Sequence, residues 1–252
     1  MNTPMTTHKV ALVTGSGRNI GRAIALSLAR QGFAVAVNVR NSVAQGQAVV
    51  DELIASGAPA LLCVADVTDP AAVHAMLAQV QEQWGRLDVL VNNAAVRHEA
   101  PLADISLQAW HSTLAVVLDG AFLCTQAAQP LLQRSPAGAV INIGGLTGHT
   151  GAAHRVHVVT AKAGLVGLTR ALAHELAPAI TVNCVSPGMI ATARQASTAT
   201  ATPQHHAKHQ PLLERRGTAD EVAAMVSWLA SDQARFVTGQ VMHVNGGTYL
   251  GS

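Results

Sequence analysis

The chain of 252 residues has few aromatic residues (3%) and few charged residues (12%), and it contains one tyrosine, Tyr249. This low charge, with a formal net charge of +2, argues against a nucleic-acid partner or an anionic membrane surface. Three isolated cysteines predict neither a disulfide framework nor a metal site. No uninterrupted apolar run reaches the roughly 18 residues that span a bilayer, so we expect a cytoplasmic protein.

Hydrophobic residues are abundant, at 49%, and they form short β-branched runs that alternate with amphipathic stretches. Such runs predict strands that are buried on both faces of a parallel sheet. The alternation predicts an α/β fold, with residues 1–252 forming a single doubly wound Rossmann-type domain. We expect a seven-stranded, mostly parallel sheet with helices on both faces. The predicted strands are Val10–Val13, Ala34–Val39, Ala60–Ala65, Val89–Val91, Ala139–Ile143, Thr181–Val185 and Val241–Val244.

Residues 192–210, rich in Ala, Thr, Gln and His, interrupt this alternation. An insertion at the carboxyl end of a strand lies over the ligand crevice of such a fold. We therefore expect residues 192–210 to cover a substrate crevice. A surface loop without that role is the alternative.

A glycine-rich turn follows the first predicted strand and leads directly into a helix. Glycines in that context let backbone N–H groups and a helix N-terminus approach a pyrophosphate. The turn therefore predicts a dinucleotide site. Its binding residues are Gly15, Gly17, Arg18, Asn19, Ile20 and Gly21.

Three further segments accompany the turn in order along the chain: Asp66-Val67, Asn92-Asn93-Ala94-Ala95 and the stretch from Asn183 to Thr192. Together with the turn they resemble the short-chain dehydrogenase/reductase family over nearly the whole chain. Asn19 replaces the middle glycine of the family's turn, and asparagine tolerates a left-handed backbone better than most residues. The resemblance implies further cofactor contacts from Asp66, Val67, Asn92, Ala94, Lys162, Pro187, Gly188 and Thr192.

The choice of cofactor follows from charge at the end of the second strand. Enzymes that use NAD usually place an acidic residue there to hold the ribose hydroxyls, whereas this chain has Val39-Arg40-Asn41. Arg40 and Arg18 suit a 2′-phosphate, which guanidinium groups bind through charge-assisted, forked hydrogen bonds. The sequence therefore favours NADP(H) over NAD(H).

The family's catalytic residues have one clear counterpart. The resemblance assigns Lys162 to the catalytic lysine but places Val158, Gly145 and Val117 where the family has tyrosine, serine and asparagine. A valine cannot donate a proton, and the loss of a general acid typically costs about 10²–10⁴-fold in rate. The chain is thus identified as an atypical member that lacks the catalytic Ser, Tyr and Asn.

Several nearby residues are candidates to replace the lost groups. A histidine pair can perform general acid/base catalysis near neutral pH, and an arginine favours an anionic substrate. Partly exposed loop histidines without a shared role are the alternative. The candidate catalytic residues are Lys162, His149, His154, His157 and Thr147, and the candidate substrate-pocket residues are His98, Gly145, Arg155 and Val158.

No metal site is predicted, although a metal site formed by His205, His209 and a third histidine stays an alternative.

Three functions remain open. These are an NADP(H)-dependent oxidoreductase acting on a small carbonyl or other polar substrate, a redox-neutral lyase, isomerase or hydratase that uses pocket histidines, and a nucleotide-binding protein without turnover. By resemblance, the helices Leu107–Leu132 and Val158–Leu176 imply a homotetramer or homodimer.

Overall fold

The computed structural model describes residues 6–192 and 210–251. Within them, seven strands form one sheet. The strands are β1 (Val10–Val13), β2 (Ala34–Val39), β3 (Ala60–Val64), β4 (Val89–Asn92), β5 (Gly138–Ile143), β6 (Ile180–Pro187) and β7 (Val241–Val244). The α-helices of the described residues are α1 (Asn19–Arg30), α2 (Val43–Ala55), α3 (Pro70–Trp84), α4 (Leu107–Leu114), α5 (Gly120–Arg134), α6 (Thr147–Thr150), α7 (Val156–Leu176) and α8 (Ala219–Leu229).

The strand order of the sheet is β3-β2-β1-β4-β5-β6-β7, and each neighbouring pair is parallel. This confirms the predicted doubly wound α/β fold. Two large apolar clusters cover the sheet, and β1, β2, β4 and β5 are buried along their whole length. The strand order reverses between β1 and β4, where a fold of this kind forms its ligand crevice at the carboxyl ends of the strands.

The predicted long helix over Leu107–Leu132 is interrupted. A π-helical segment, Ala115–Asp119, lies between α4 and α5. Its residue Val117 is buried and packs in one apolar cluster with Ala161 and Leu165 of α7. Such π-bulges are frequent at functional sites, and this one packs Val117 against Ala161, the residue before Lys162.

Two helical stretches, Leu107–Arg134 and Val156–Leu176, are long and apolar enough by composition to cross a membrane. Here both belong to the layer around the sheet, which explains their apolar inner faces. Between them lies an open apolar groove, and Gly164 lets Leu118 approach closely there because a Cβ on Gly164 would lie 2.9 Å from Leu118 Cδ2. The groove is lined by Leu118, Asp119, Phe122, Leu123, Gly164 and Leu168.

Residues 193–209 lie outside the described part of the chain. The predicted cover over the substrate crevice and the histidines at 205, 206 and 209 fall within that gap. In the described residues no group of three or more His, Cys, Asp or Glu side chains is arranged to hold a metal ion.

Candidate functional site

The glycine-rich turn after β1 is as tight as a phosphate-binding turn requires. Gly15 has a φ of +62°, and a Cβ on it would lie 2.9 Å from Ala94 Cα. A Cβ on Gly21 would lie 2.5 Å from the carbonyl oxygen of Gly15. Asn19 has a φ of +50° at the first position of α1, so the expected left-handed asparagine is confirmed. The N-terminus of α1 therefore opens at the crevice, where it favours an anion.

Hydrogen bonds join this turn to the end of β4. The hydroxyl of Thr14 accepts from the backbone N–H groups of Asn93 (2.9 Å) and Ala94 (3.0 Å). The amide of Asn93 donates to the carbonyl oxygens of Thr14 (2.9 Å) and Gly15 (3.0 Å). The two ends are thus held together across the strand reversal, which shapes the floor of the crevice.

The side chain of Asn92, a predicted cofactor contact, is buried at the end of β4. Its buried amide donates to Asn142 Oδ1 (2.9 Å) on β5 and to Thr125 Oγ1 (3.1 Å) on α5. The amide of Asn142 in turn donates to Thr169 Oγ1 on α7 (2.9 Å). The side chain of Asn92 therefore links the sheet to two helices, while neighbouring Ala94 lies against the turn.

The two predicted phosphate-binding arginines lie at the same edge of the sheet. A Cβ on Gly17 would meet Val39 Cγ1 at 2.9 Å, so the turn before α1 packs against the end of β2. Arg18 and Arg40 follow these two residues, and both side chains are exposed. Arg40 Nη1 lies 3.5 Å from Asp66 Oδ2. Burial opposes ionisation of Asp66, but hydrogen bonds from Thr68 and the charge of Arg40 outweigh it and lower the pKa of the carboxyl.

The opposite end of the crevice is formed by the carboxyl ends of β5 and β6. Pro187 ends β6, and its carbonyl oxygen accepts from the backbone N–H of Leu146 (2.9 Å) in the loop after β5. Gly188 packs so closely on the C-terminal segment that a Cβ there would lie 2.7 Å from Asn245 Cα. Thr192, the last described residue before the gap, follows a short bridge between Ile190 and Gly217.

Lys162 projects from α7 toward β5, where its Nζ donates to the carbonyl oxygen of Ile143 (2.6 Å). Desolvation by burial, reinforced by the charge of Arg97, lowers the pKa of this amine from 10.5 to about 8. Val158, one helical turn earlier, is 4% exposed. A Cβ on Gly145 would meet only Lys162 Cγ, at 3.9 Å, so there is room for a small side chain at that position.

Replacing Lys162 by methionine is expected to stabilise the fold at neutral pH. A depressed lysine pKa means that the folded state holds a desolvated ammonium below about pH 8, and this cost disappears as pH rises from about 8 to the unfolded value of 10.5. The difference in unfolding free energy between variant and parent should be largest at pH 7 and shrink by pH 10, measured by urea denaturation. Arg134→Met, at an exposed helix end, is the control. A difference in unfolding free energy that does not change with pH would contradict desolvation of Lys162.

The predicted catalytic histidines do not share one environment. His157 is 1% exposed in the first turn of α7, and its Nδ1 has no hydrogen-bond partner. Burial, followed by the charges of His98 and Arg155, lowers the pKa of His157. His154, by contrast, is exposed and has a φ of +61°, and its carbonyl oxygen accepts from the backbone N–H of Ala100 (2.9 Å).

His149 belongs to an aromatic cluster that the sequence analysis missed. Its ring lies 4.7 Å from that of His243 on β7 and 5.4 Å from that of Tyr249, between ring centroids. Burial, then the charges of His243 and Arg170, lowers the pKa of His149. These neighbours differ from those of His157, so the structure separates the two histidines. Thr147 begins α6, the short helix that carries His149.

Arg97 is the other residue that sequence reasoning missed. It lies in the loop after β4, and its charge lowers the pKa of both Lys162 and Arg155. Its position two residues after the Asn-Asn-Ala-Ala segment was the available signal, because that segment ends at the crevice.

A parallel sheet whose strand order reverses beside a tight glycine turn and a helix N-terminus defines a dinucleotide-binding protein of the Rossmann type. A family model described as "Enoyl-(Acyl carrier protein) reductase" matches residues 15–249. The chain belongs to the short-chain dehydrogenase/reductase family.

Individual relatives agree with this assignment over their full length. The chain is 42% identical to a 3-oxoacyl-[acyl-carrier-protein] reductase FabG of Staphylococcus aureus, covering 96% of this chain and 98% of the relative. It is 41% identical to the (2S)-[(R)-hydroxy(phenyl)methyl]succinyl-CoA dehydrogenase subunit BbsD of Thauera aromatica, covering 96% and 97%. A short chain dehydrogenase from Burkholderia cenocepacia, solved in complex with NADP, superposes with a TM-score of 0.89 at 34% identity, covering 95% of this chain and 97% of that one.

Proposed function

We propose that this chain is an NADP(H)-dependent oxidoreductase with a non-standard active site, acting on a small carbonyl or other polar substrate. One observation carries the proposal: positions 145 and 158 have no hydroxyl, whereas buried His157, on the same helix as Lys162, has an unpartnered ring nitrogen. His157 then takes the role of general acid/base, and Lys162 binds the nicotinamide ribose. The substrate crevice lies at the carboxyl ends of β4, β5 and β6.

Two features of the cofactor site support NADP(H). Exposed Arg18 and Arg40 follow the neighbouring residues Gly17 and Val39, at the end where an adenosine 2′-phosphate would bind, and the second strand ends without an acidic residue. The contact between Asp66 Oδ2 and Arg40 Nη1 is long, at 3.5 Å, so the guanidinium of Arg40 stays available to a phosphate. The related dehydrogenase from Burkholderia cenocepacia binds NADP in its solved structure.

Titration with NADPH and NADH, followed by nucleotide fluorescence and thermal stability, tests this assignment. The parent protein should bind NADPH more tightly, because each charge-assisted contact to the 2′-phosphate contributes about 1.5–3 kcal/mol, or roughly 10- to 100-fold in affinity. Arg40→Met should lose most of that preference while keeping NADH affinity, and Arg134→Met is the matched control. Equal affinity of the parent for the two nucleotides would contradict the NADP(H) assignment, and failure to bind either would contradict the oxidoreductase.

Two other functions use the same crevice. The absence of hydroxyls at positions 145 and 158 is also consistent with a redox-neutral lyase, isomerase or hydratase in which pocket histidines move the proton. It is equally consistent with a nucleotide-binding protein without turnover. Oxidation of NADPH in a screen of carbonyl compounds distinguishes the first proposal from both.

The proposed enzyme works as a homotetramer or homodimer in the cytoplasm. The open apolar groove between α5 and α7, with Phe122 at its surface, supports association through these helices, because monomers seldom leave such a surface exposed. The substrate is a small molecule, and the largely buried side chain of Arg155 favours an anionic one. Neither a nucleic acid nor a membrane is among the proposed partners.

A further inference from the structure

The loops on the two sides of the crevice together carry two arginines and one acidic residue. Residues 93–101, after β4, contain Arg97, His98 and one acidic residue, Glu99, whereas residues 144–155, after β5, contain Arg155 and no acidic residue. The backbone N–H of Ala100 donates to the carbonyl oxygen of His154 at 2.9 Å, which holds the two loops against each other. Their charged side chains therefore meet at one place.

Arg155 is the central group of this meeting point. Its side chain is 12% exposed, and its Nε lies 3.3 Å from Oε1 of Glu99, which is 42% exposed. Desolvation lowers the pKa of Arg155, and the charge of Arg97 adds to that effect while Glu99 opposes it. The same Arg97 charge acts on Lys162, so the positive field extends from Arg155 to the proposed reaction centre. Thus the charge of Arg97 acts on both Arg155 and Lys162.

A second observation points to a ligand at this place. His157, in the turn that follows Arg155, is 1% exposed, and its Nδ1 lacks a hydrogen-bond partner. An unpartnered buried polar atom is costly unless something satisfies it. His157 lies two residues after Arg155; burial lowers its pKa, and the charges of His98 and Arg155 lower it further.

We propose that Arg97 and Arg155 form a subsite for a carboxylate group of the substrate, near the proposed proton donor His157, so that the crevice takes a carbonyl compound that also carries a carboxylate. Glu99 already presents a carboxylate to the edge of the Arg155 guanidinium, and a substrate carboxylate takes over this contact. Guanidiniums bind carboxylates by forked, charge-assisted hydrogen bonds, which fix orientation as well as affinity. The inference rests on the proposed function for the location of the reacting carbonyl, near Lys162.

Binding of simple probes tests the subsite without requiring turnover. Isothermal titration calorimetry would compare butanoate, the neutral isostere butanamide and inorganic phosphate, with the protein alone and saturated with NADP+. Butanoate should bind at least about tenfold more tightly than butanamide, as expected for a hydrogen bond to a charged group. Equal affinity for butanoate and butanamide would overturn the subsite, and tighter binding of phosphate would overturn its assignment to a carboxylate.

Variants distinguish the loss of the subsite from the loss of the folded structure. Arg155→Met and Arg97→Met should each abolish the preference for butanoate, whereas Arg134→Met, outside the crevice, should keep it. Glu99→Gln removes the competing carboxylate and should tighten butanoate binding several-fold, a gain that misfolding cannot produce. Weaker binding by Glu99→Gln would contradict the subsite. If NADP+ does not bind but butanoate preference persists, the proposed oxidoreductase fails and the subsite remains.

Discussion

Replacing His157 by glutamine is expected to slow NADPH-dependent turnover by about 10²–10⁴-fold, the usual contribution of a general acid. Glutamine keeps the size and polarity of the side chain but cannot exchange a proton near neutral pH. The affinity for NADPH should stay unchanged, because His157 lies in the first turn of α7 and not at the glycine turn. Initial rates of NADPH oxidation with an accepted carbonyl compound measure the effect.

The pH profile gives this prediction a second, independent measurement. Burial, His98 and Arg155 lower the pKa of His157 below the ordinary value of 6.5. An acid catalyst is active when protonated, so the rate of reduction should fall as pH rises through a value below 6.5, and the His157→Gln variant should lose that dependence. His154→Gln, at an exposed position in the preceding loop, is the control and should behave like the parent. An unchanged rate and profile in His157→Gln would exclude this histidine as the proton donor.

The fold and the nucleotide-binding turn after β1 are determined by local sequence patterns, and for this reason they were predictable. A buried parallel strand needs a short apolar run, as in Val10–Val13, and a phosphate turn needs glycine where a Cβ would collide, as at Gly21. Both constraints act over a few neighbouring residues. The left-handed conformation of Asn19 was predictable for the same reason.

The arrangement of the candidate catalytic residues depends on contacts between segments that are distant in the sequence. His149 and His157 lie close in sequence, yet His149 lies on α6 and packs against His243 and Tyr249, which come from the last strand and the segment after it. His157 lies on α7, which begins at Val156, whereas the sequence predicts that helix only from Val158. No local spacing encodes which face of a helix meets which strand, so the sequence grouped histidines that the fold separates.

Asn92 shows that a family motif does not determine the contacts of each of its side chains. The Asn-Asn-Ala-Ala segment does lie at the crevice, but its first side chain turns inward to Asn142 and Thr125. Alternation of side chains along a strand explains this, since Asn92 is the last residue of β4 and its neighbour Asn93 points toward the turn after β1. A motif fixes where a segment lies more reliably than what each of its side chains contacts.

Installing both missing hydroxyls, by Gly145→Ser together with Val158→Tyr, is expected to raise NADPH-dependent reduction by the His157→Gln variant about 10²–10⁴-fold, the gain that a positioned general acid supplies. Position 145 has room for the serine, since a Cβ there meets only Lys162 Cγ at 3.9 Å. Positions 158 and 162 lie one turn apart on α7, so the phenol would face the ammonium, which favours its ionised form.

A matched variant, Gly145→Ser with Thr160→Tyr, places the same phenol on an exposed position of α7 and should show no gain. The two proton donors should also substitute for each other: in the variant that carries Val158→Tyr, adding His157→Gln should cost much less than it costs the parent. If the restored variant binds NADPH and unfolds at the parent's temperature yet gains no activity, hydride transfer does not take place beside Lys162. A gain from a parent without measurable turnover would instead show that the scaffold keeps a competent crevice, and that the two absent hydroxyls limit the reaction.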